Sequence, residues 1–259
     1  MDAKGSRVVL LGTGAEAPTD RRRLAASVLV CPKQTILIDC GSGSQMRLKQ
    51  SGLSAASISL IVITHVHTSH YSELRDIALA AERRGCPLPL PILFPRGGCS
   101  AMSKVLSPQA SATDLGSPPI PEVELHEIDP GVAVVRGTRI QSAVVAHNCP
   151  GLAYRFETPE GTVVFSGDTE PCDSVVELSR NADLLVHECS FPDGHGKQPW
   201  HTTPTQLGLV AARAQVRHLA MNHFFPSCDD LREAMIDNVA KQFKGDILFG
   251  EDLMSLGIG

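Results

Sequence analysis

The sequence predicts an α/β protein in which two mixed β-sheets pack face to face with helices on their outer faces. Two strand-rich halves, each ending in helix–strand units, favour this class. The 259 residues are 42% hydrophobic and carry a net charge of only −5, so the chain can bury a sizeable core and is not disordered. No linker or low-complexity tract divides the chain, which predicts one domain over residues 1–259.

Short apolar segments separated by turn residues predict the strands of the first half. The expected strands are 7–11, 26–31, 35–39, 57–63 and one near 91–94. A short helix is expected at 45–51, and a longer one at 71–84 because apolar residues recur there at helical spacing. Residues 86–121 hold many prolines and glycines, so besides their strand we expect a helical turn and a long loop that covers a pocket.

The second half begins with strands and ends in helix–strand units. The expected strands are 122–127, 132–137, 139–146, 152–157, 162–166, 183–187, 217–222 and 246–249. The expected helices are 172–180, 204–214 and 229–242. Thr203 and Gln206 form a capping-box pattern around Pro204, which is typical of the first turn of a helix.

The composition excludes several classes of protein. No apolar run approaches the ~18–20 residues that a membrane span needs, and the apolar stretch near the start is too short for a signal peptide. The eight cysteines are scattered without a C-x-x-C pair, which favours reduced thiols. We therefore expect a cytoplasmic protein without membrane contact. The net charge of −5 gives no general attraction to nucleic acids.

Three histidines follow one apolar strand within six positions. Residues 61–70 read IVITHVHTSH, with His65, His67 and His70 after the strand. Imidazole is the commonest nitrogen ligand of zinc, and a buried core would have to satisfy six ring nitrogens at once. The pattern therefore indicates a metal site, with a solvated, histidine-rich turn as the alternative.

Further candidate ligands follow three later strands. His147, Asp168 and His223 each come directly after or close to the end of an apolar segment. A lone histidine after a strand is more often structural, so each signal is weak by itself. Jointly, four strands that deliver His or Asp at one end predict a metal centre at the mouth of the two sheets.

The segments LLGTGAEAP, ILIDCGSGS, THVHTSH, GLAYRFE, VVFSGDT, LLVHE, HTT and LAMNHF follow one another along residues 7–257. In this order they resemble the motifs of the metallo-β-lactamase superfold, and most of all those of its ribonuclease Z branch. The T-H-x-H-x-D-H motif of that family is specific, and THVHTSH is its counterpart here. The resemblance implies a four-layer αβ/βα sandwich of two mixed β-sheets flanked by helices.

The resemblance also implies a metal centre of one or two ions per chain. One ion would be held by His65, His67 and His147, the other by His70 and His223, with Asp168 bridging both. Zinc is the expected metal, and manganese or iron are alternatives. Two divalent ions ~3.5–4 Å apart can provide a hydroxide nucleophile near neutral pH and stabilise the attacking and leaving oxygens.

Two other residues match the phosphodiesterases of this branch. His201 corresponds to the histidine near the leaving group, and Glu188 to the carboxylate that orients it. As a pair they would protonate a departing alkoxide. The alternative for His201 is a plain helix start, since Thr203 can cap the helix by itself. Asp39, at the family's DCG position, would orient a metal-bound histidine.

One expected ligand of the second metal is missing. The family has aspartate where this chain has Ser69, and a neutral hydroxyl is a poor ligand, so Ser69 is predicted to be a weak ligand only. Glu73 stands where the family usually has glycine and could substitute for that aspartate, or be an exposed helix residue. Because six of the seven expected ligand positions are intact, we expect a working but asymmetric centre.

The resemblance to ribonuclease Z does not extend to the segment that binds the substrate. In ribonuclease Z a long arm that grips transfer RNA lies between the third-motif histidine and the bridging aspartate. The interval of 21 positions from His147 to Asp168 has room only for two strands and a turn. We therefore expect a small-molecule substrate and no transfer-RNA processing. The resemblance suggests a homodimer.

These observations predict a metal-dependent hydrolase with Asp168, His201 and Glu188 as its catalytic residues. His201 and Glu188 favour a phosphodiesterase that acts on small or cyclic phosphate esters and uses a metal-bound hydroxide. Two alternatives stay open, since one fold hosts many chemistries. One is hydrolysis of a lactone, an ester or a carbon–halogen bond at the same centre. The other is a degenerate metal- or ligand-binding module, which Ser69 alone supports.

Overall fold

The structure is a computed structural model that describes residues 5–107, 120–194 and 199–258. Its first sheet has seven strands in the order β14-β1-β2-β3-β4-β5-β6. These strands are β1 (Arg7–Gly12), β2 (Ala26–Cys31), β3 (Gln34–Ile38), β4 (Ile58–Val62), β5 (Leu90–Pro95), β6 (Val123–Ile128) and β14 (Ser255–Gly257). Strands β1 to β3 pair antiparallel and β3 to β6 pair parallel, so the sheet is mixed.

The second sheet also has seven strands, in the order β13-β12-β11-β10-β9-β8-β7. They are β7 (Gly131–Val135), β8 (Thr138–Val144), β9 (Leu152–Thr158), β10 (Gly161–Phe165), β11 (Leu184–Glu188), β12 (His218–Asn222) and β13 (Asp246–Phe249). The hairpin strands β7 to β10 pair antiparallel, and β10 to β13 pair parallel.

Among the described residues, six α-helices cover the outer faces of the sheets. They are α1 (Ser44–Gln50), α2 (Leu74–Arg83), α3 (Cys99–Leu106), α4 (Asp173–Leu178), α5 (Pro204–Ala214) and α6 (Arg232–Gln242). Three short 3-10 helices, Ala55–Ser57, Thr68–His70 and Pro226–Leu231, occur between them. No helix in the described part of the chain is long and apolar enough to cross a membrane.

Strand β1 shows how the layers follow from the sequence. Val8 and Leu10 pack into the core between the two sheets, whereas Val9 and Leu11 pack into the core beneath α2 and α3. A strand buried on both faces needs a continuous apolar run, because its side chains alternate between the faces. A third core lies between the second sheet and helices α5 and α6. The predicted α/β class with two mixed sheets and outer helices is thus confirmed.

Most predicted elements are confirmed, and four differ. Helix α6 begins at Arg232 rather than at residue 229, because Pro226–Leu231 form a 3-10 helix. Helix α2 begins at Leu74 rather than residue 71, because the Glu73 amide donates to the Cys40 carbonyl of the loop after β3. The helical turn expected after the strand near 91–94 is the helix α3, whose Met102 and Leu106 are buried. Strand β14 was not predicted because it is three residues long and buries only Leu256. Residues 108–119 of the expected long loop lie outside the described residues.

Candidate metal centre

Loops from both sheets converge at one end of the sandwich. The loop after β4 carries the three motif histidines, and the loops after β8, β10 and β12 carry one candidate ligand each. The first group of potential metal ligands is His65, His67, His147 and Asp168. The second group is His70, Asp168 and His223. Within each group the ligand atoms lie within 4.8 Å of one another, and Asp168 belongs to both.

The distances between these ligand atoms suit a shared metal. His147 Nε2 lies 3.3 Å from His67 Nδ1, and His70 Nε2 lies 3.3 Å from His223 Nε2. Four tetrahedral ligands each ~2.0–2.1 Å from zinc are about 3.3–3.4 Å apart. The Asp168 carboxylate lies between the groups, 3.5 Å from His70 Nε2 and 3.6 Å from His65 Nε2.

His65 shows most directly that a ligand belongs in this space. Its Nδ1 donates to Thr64 Oγ1 at 3.0 Å, and Thr64 Oγ1 in turn donates to Asp39 at 2.8 Å. The ring is fully buried, and its Nε2 has no hydrogen-bond partner. A buried imidazole nitrogen without a partner is costly unless something binds it, so the residues present fit a divalent metal.

The other histidines are oriented in the same way. His70 Nδ1 donates to Asp39 Oδ2 at 2.8 Å, which leaves its Nε2 facing Asp168 and His223. His223 Nδ1 donates to Ser190 Oγ at 2.9 Å. His147 Nδ1 donates to the main-chain carbonyl of Trp200 at 3.0 Å. Such outer contacts fix the orientation of each histidine ring, so its inward nitrogen is the one that a metal would meet. The orienting role expected of Asp39 agrees with these contacts.

The pKa values of the buried groups are shifted by burial and by the charged groups beside them. Burial alone would raise the pKa of the Asp168 carboxyl, but the surrounding histidines hold that pKa well below its usual range. Burial lowers the pKa of His65 well below its usual value and that of His223 to about 4. For His70, the two carboxylates of Asp168 and Asp39 outweigh burial and raise the pKa to about 10. The site thus favours one positive charge at its centre, where a cation fits.

A second polar network lies beside the centre. Glu188 is buried, and its Oε1 accepts a hydrogen bond from His201 Nδ1 at 2.9 Å. The same carboxylate accepts from the amides of Thr169 and Thr202 and from the Ser190 hydroxyl. Burial lowers the pKa of His201, but the hydrogen bond and charge of Glu188 outweigh it and raise the pKa. The protonated form of His201 is therefore stabilised, and its ring lies 5.5 Å from that of His147.

Ser69 and Glu73 have different surroundings. Ser69 lies in the 3-10 helix Thr68–His70, between one ligand of each group, and its weak-ligand role stays a prediction. Glu73 accepts hydrogen bonds from the amides of Gly43 and Gln45 and from Ser44 Oγ. Both of its carboxylate oxygens are therefore bonded to the start of α1. Glu73 does not substitute for the missing aspartate in this structure, and it is not a plain exposed helix residue either.

Sequence reasoning missed the hydroxyl and carbonyl groups that support the ligands. Thr64 and Ser190 each accept from a histidine and donate to a carboxylate, and Trp200 contributes only its main-chain carbonyl. Thr64 directly precedes His65, and Ser190 lies two residues after Glu188. This position next to a site residue was the only sequence signal for Thr64 and Ser190, since a single hydroxyl residue forms no recognisable motif.

Comparison with known proteins identifies the class that this fold and site define. A family model described as a beta-lactamase superfamily domain matches residues 34–224, and the chain belongs to this superfamily. Within it, the chain is ribonuclease Z-like. It is 32% identical to ribonuclease Z of Mycobacterium bovis over 270 residues, which cover 95% of this chain and 96% of that protein. Ribonuclease Z of Mycobacterium tuberculosis is 31% identical over 267 residues, with the same coverage.

Solved structures agree on the fold. The metallo-beta-lactamase fold protein YhfI from Bacillus subtilis has a TM-score of 0.81 at 20% identity and covers 96% of this chain and 98% of its own. Human tRNase Z, short form, has a TM-score of 0.78 at 24% identity, and the match covers 98% of this chain and 99% of that protein. The family resemblance predicted from the motifs is thus confirmed. The chain is a metal-dependent hydrolase of phosphodiesterase-like type that binds a divalent metal.

Proposed function

We propose that the chain hydrolyses small or cyclic phosphate diesters at a zinc centre. The observation that carries this proposal is the Glu188–His201 hydrogen bond of 2.9 Å beside the ligand groups. A metal centre alone serves many hydrolytic reactions, but departure of an alkoxide from phosphorus benefits from a proton donor next to it. The raised pKa of His201 suits that donor near neutral pH.

The two ligand groups define where metals would be held. We assign the first site to His65, His67, His147 and Asp168, and the second to His70, His223 and Asp168. Zinc suits a donor set made mostly of imidazole, with manganese or iron as alternatives. When bound, such ions supply Lewis acidity toward a phosphoryl oxygen and lower the pKa of water. With Ser69 in place of aspartate, the second site should bind its ion more weakly.

Asp168, His201 and Glu188 have different roles in the reaction at the phosphorus. Asp168 supplies the negative charge that the two sites share. His201 gives its proton to the leaving oxygen, and the buried Glu188 carboxylate holds the ring by its Nδ1 and stabilises its charged form. Glu188 can do this without moving, because the amides of Thr169 and Thr202 also hold its oxygens.

The test is hydrolysis of bis(p-nitrophenyl) phosphate by protein that has been stripped of metal and then reloaded with zinc or manganese. We expect turnover only after reloading, and a loss of at least about 100-fold in Asp168→Ala. Asp237→Ala, an exposed aspartate of α6, is the matched control and should keep wild-type turnover. Metal-dependent hydrolysis of esters or lactones but of no phosphodiester would overturn the proposal.

An RNA phosphodiester is the second candidate substrate. The relatives named ribonuclease Z match this chain over 95% of its length, which favours that class. The residues between His147 and Asp168 form only β9, β10 and short turns, and the net charge is −5. These features favour the smaller ester. Comparing kcat/KM for a cyclic phosphodiester and a 3′-extended transfer RNA distinguishes the two.

A further inference from the structure

The Ser190 hydroxyl lies between the proposed proton donor and a proposed ligand of the second metal site. Its Oγ is 2.7 Å from Glu188 Oε2, 2.9 Å from His223 Nδ1 and 3.3 Å from His201 Nδ1. Glu188, His201 and His223 each offer a polar atom, and these atoms all lie within 4.8 Å of one another. Ser190 itself is fully buried. One hydroxyl therefore contacts both parts of the site at once.

The directions of these hydrogen bonds follow from what each group can donate. A carboxylate only accepts, so the single hydrogen of the Ser190 hydroxyl goes to Glu188. The hydroxyl oxygen then accepts from His223 Nδ1, which makes Nε2 of that ring the nitrogen that a metal would meet. His201 Nδ1 donates to the other oxygen of Glu188 at 2.9 Å. Both histidines are thus bound to one carboxylate, His201 directly and His223 through Ser190.

Main-chain groups hold the two ends of this network in place. The Ser190 carbonyl accepts from the amide of Phe225, two residues beyond His223, at 3.3 Å. The amide of Thr202, the residue after the proposed proton donor, donates at 3.1 Å to the same Glu188 oxygen as the Ser190 hydroxyl. Hydrogen bonds in such a network strengthen one another, so loosening one of them loosens the others.

We propose that Ser190 is a positioning residue that couples the second metal site to the proton donor. This inference rests on the proposed function, because it takes His201 as the donor to the leaving oxygen. When His223 is held at its Nε2, its Nδ1 fixes the Ser190 hydroxyl. That hydroxyl in turn fixes the carboxylate that orients His201. Because Ser69 leaves the second site one carboxylate short, the support of its remaining ligands matters more.

The first measurement is zinc binding, which needs no turnover. Metal-stripped protein is titrated with zinc in competition with a chromophoric chelator, and we expect a tighter and a weaker step. Ser190→Ala should weaken the weaker step by about 10–100-fold, the usual effect of removing the outer partner of a ligating histidine, and leave the tighter step unchanged. Ser190→Thr, which keeps the hydroxyl, should stay close to wild type. Ser179→Ala is the matched control, because Ser179 is equally buried and its Oγ has no hydrogen-bond partner among the described residues.

The second measurement compares two diesters at a zinc concentration that fills both sites in every variant. Ethylene phosphate opens to 2-hydroxyethyl phosphate by expelling an alkoxide that needs a proton, whereas bis(p-nitrophenyl) phosphate expels nitrophenolate, which needs none. Ser190→Ala should lower kcat for ethylene phosphate by about 10–100-fold with little change in KM, and lower kcat for the nitrophenyl ester much less. In a His201→Ala background the same substitution should have no further effect on ethylene phosphate, since the donor is already absent.

The two measurements together decide the role of Ser190. Losses of zinc affinity and of kcat for ethylene phosphate, both recovered in Ser190→Thr, support the coupling. A change in only one of them would overturn it, because Ser190 would then support one neighbour alone. A lower unfolding temperature with neither change would make the serine structural and overturn it as well. Absence of hydrolysis of both diesters by zinc-loaded wild-type protein would instead overturn the proposed function.

Discussion

The chemistry of single residues in this protein depends on which nitrogen of each histidine is already occupied. Thr64, Asp39 and Ser190 bind the outward nitrogens of His65, His70 and His223, so the inward nitrogens are the ones that a metal would meet. That these His and Asp side chains come together could be predicted from the sequence, because His and Asp after apolar strands form a pattern. Their partners could not, because a hydroxyl acts here only through the geometry that the fold creates.

His201 and Glu188 lead to the first prediction, which separates proton donation from metal chemistry. His201→Ala should lower kcat by about 10²–10⁴-fold for a diester with an alkyl leaving group. It should have little effect on bis(p-nitrophenyl) phosphate, because nitrophenolate leaves without a proton. Steady-state kinetics on both substrates measure the difference. Similar losses on the two would show that His201 supports the metal centre rather than the leaving group.

Among the elements, helix α1 depends on a side chain that is distant in sequence. The Glu73 carboxylate accepts from the amides of Gly43 and Gln45, which have no helical partners at the start of a helix. The sequence alone suggests that Glu73 is either a substitute ligand or an exposed residue. The local sequence pattern does not indicate that the loop after His70 contacts α1. The helix itself was predicted because its own residues suffice to indicate it.

The second prediction follows from that contact. Glu73→Ala should lower the free energy of unfolding by about 1–2 kcal/mol, the usual cost of removing a cap from partly buried amides. Metal content should not change. Denaturant unfolding and elemental analysis measure the two quantities. Asp76→Ala, an exposed residue of α2, is the control and should cost less than about 0.5 kcal/mol. A fall in bound metal in Glu73→Ala would instead restore Glu73 as a ligand.

At the scale of the whole molecule, Arg22 joins segments from both ends of the chain. The sequence Arg21-Arg22-Arg23 suggests a solvated basic cluster, with contact to a phosphate as the alternative, yet Arg22 is only 4% exposed. Its guanidinium pairs with Asp229 at 2.6 Å, donates to the Gly250 carbonyl, and lies 4.4 Å from the Phe224 ring centroid. All three partners are more than 200 residues away along the chain, so no local pattern could have indicated a buried arginine.

The third prediction is that removing this arginine destabilises the protein strongly. Arg22→Ala should lower the free energy of unfolding by about 3–5 kcal/mol, because it leaves the Asp229 carboxylate without its partner. Arg22→Lys should recover little, since an ammonium cannot reproduce the forked contact with Asp229. Arg21→Ala is the matched control at an exposed neighbour and should be nearly neutral. Equal effects of the two alanine variants in urea unfolding would contradict the structural role of Arg22.

The candidate metal ligands come from both halves of the molecule, which gives the last prediction. His65, His67 and His70 follow a strand of the first sheet, whereas His147, Asp168 and His223 follow strands of the second. A metal bound between them links the sheets only in the folded state, so it should stabilise that state by mass action. At a metal concentration 100-fold above the dissociation constant the gain is about 2.7 kcal/mol, or roughly 5–10 °C in unfolding temperature.

Calorimetry of stripped and zinc-reloaded protein measures this gain, with His126→Ala as a control histidine outside the two ligand groups. Asp168→Ala should reduce the shift most, since its carboxylate belongs to both groups. His70→Ala should leave a smaller shift from the first group, because the second already lacks the aspartate that Ser69 replaces. An unfolding temperature independent of metal in the wild-type protein would mean that the centre does not join the sheets. The ligand assignment would then fail with it.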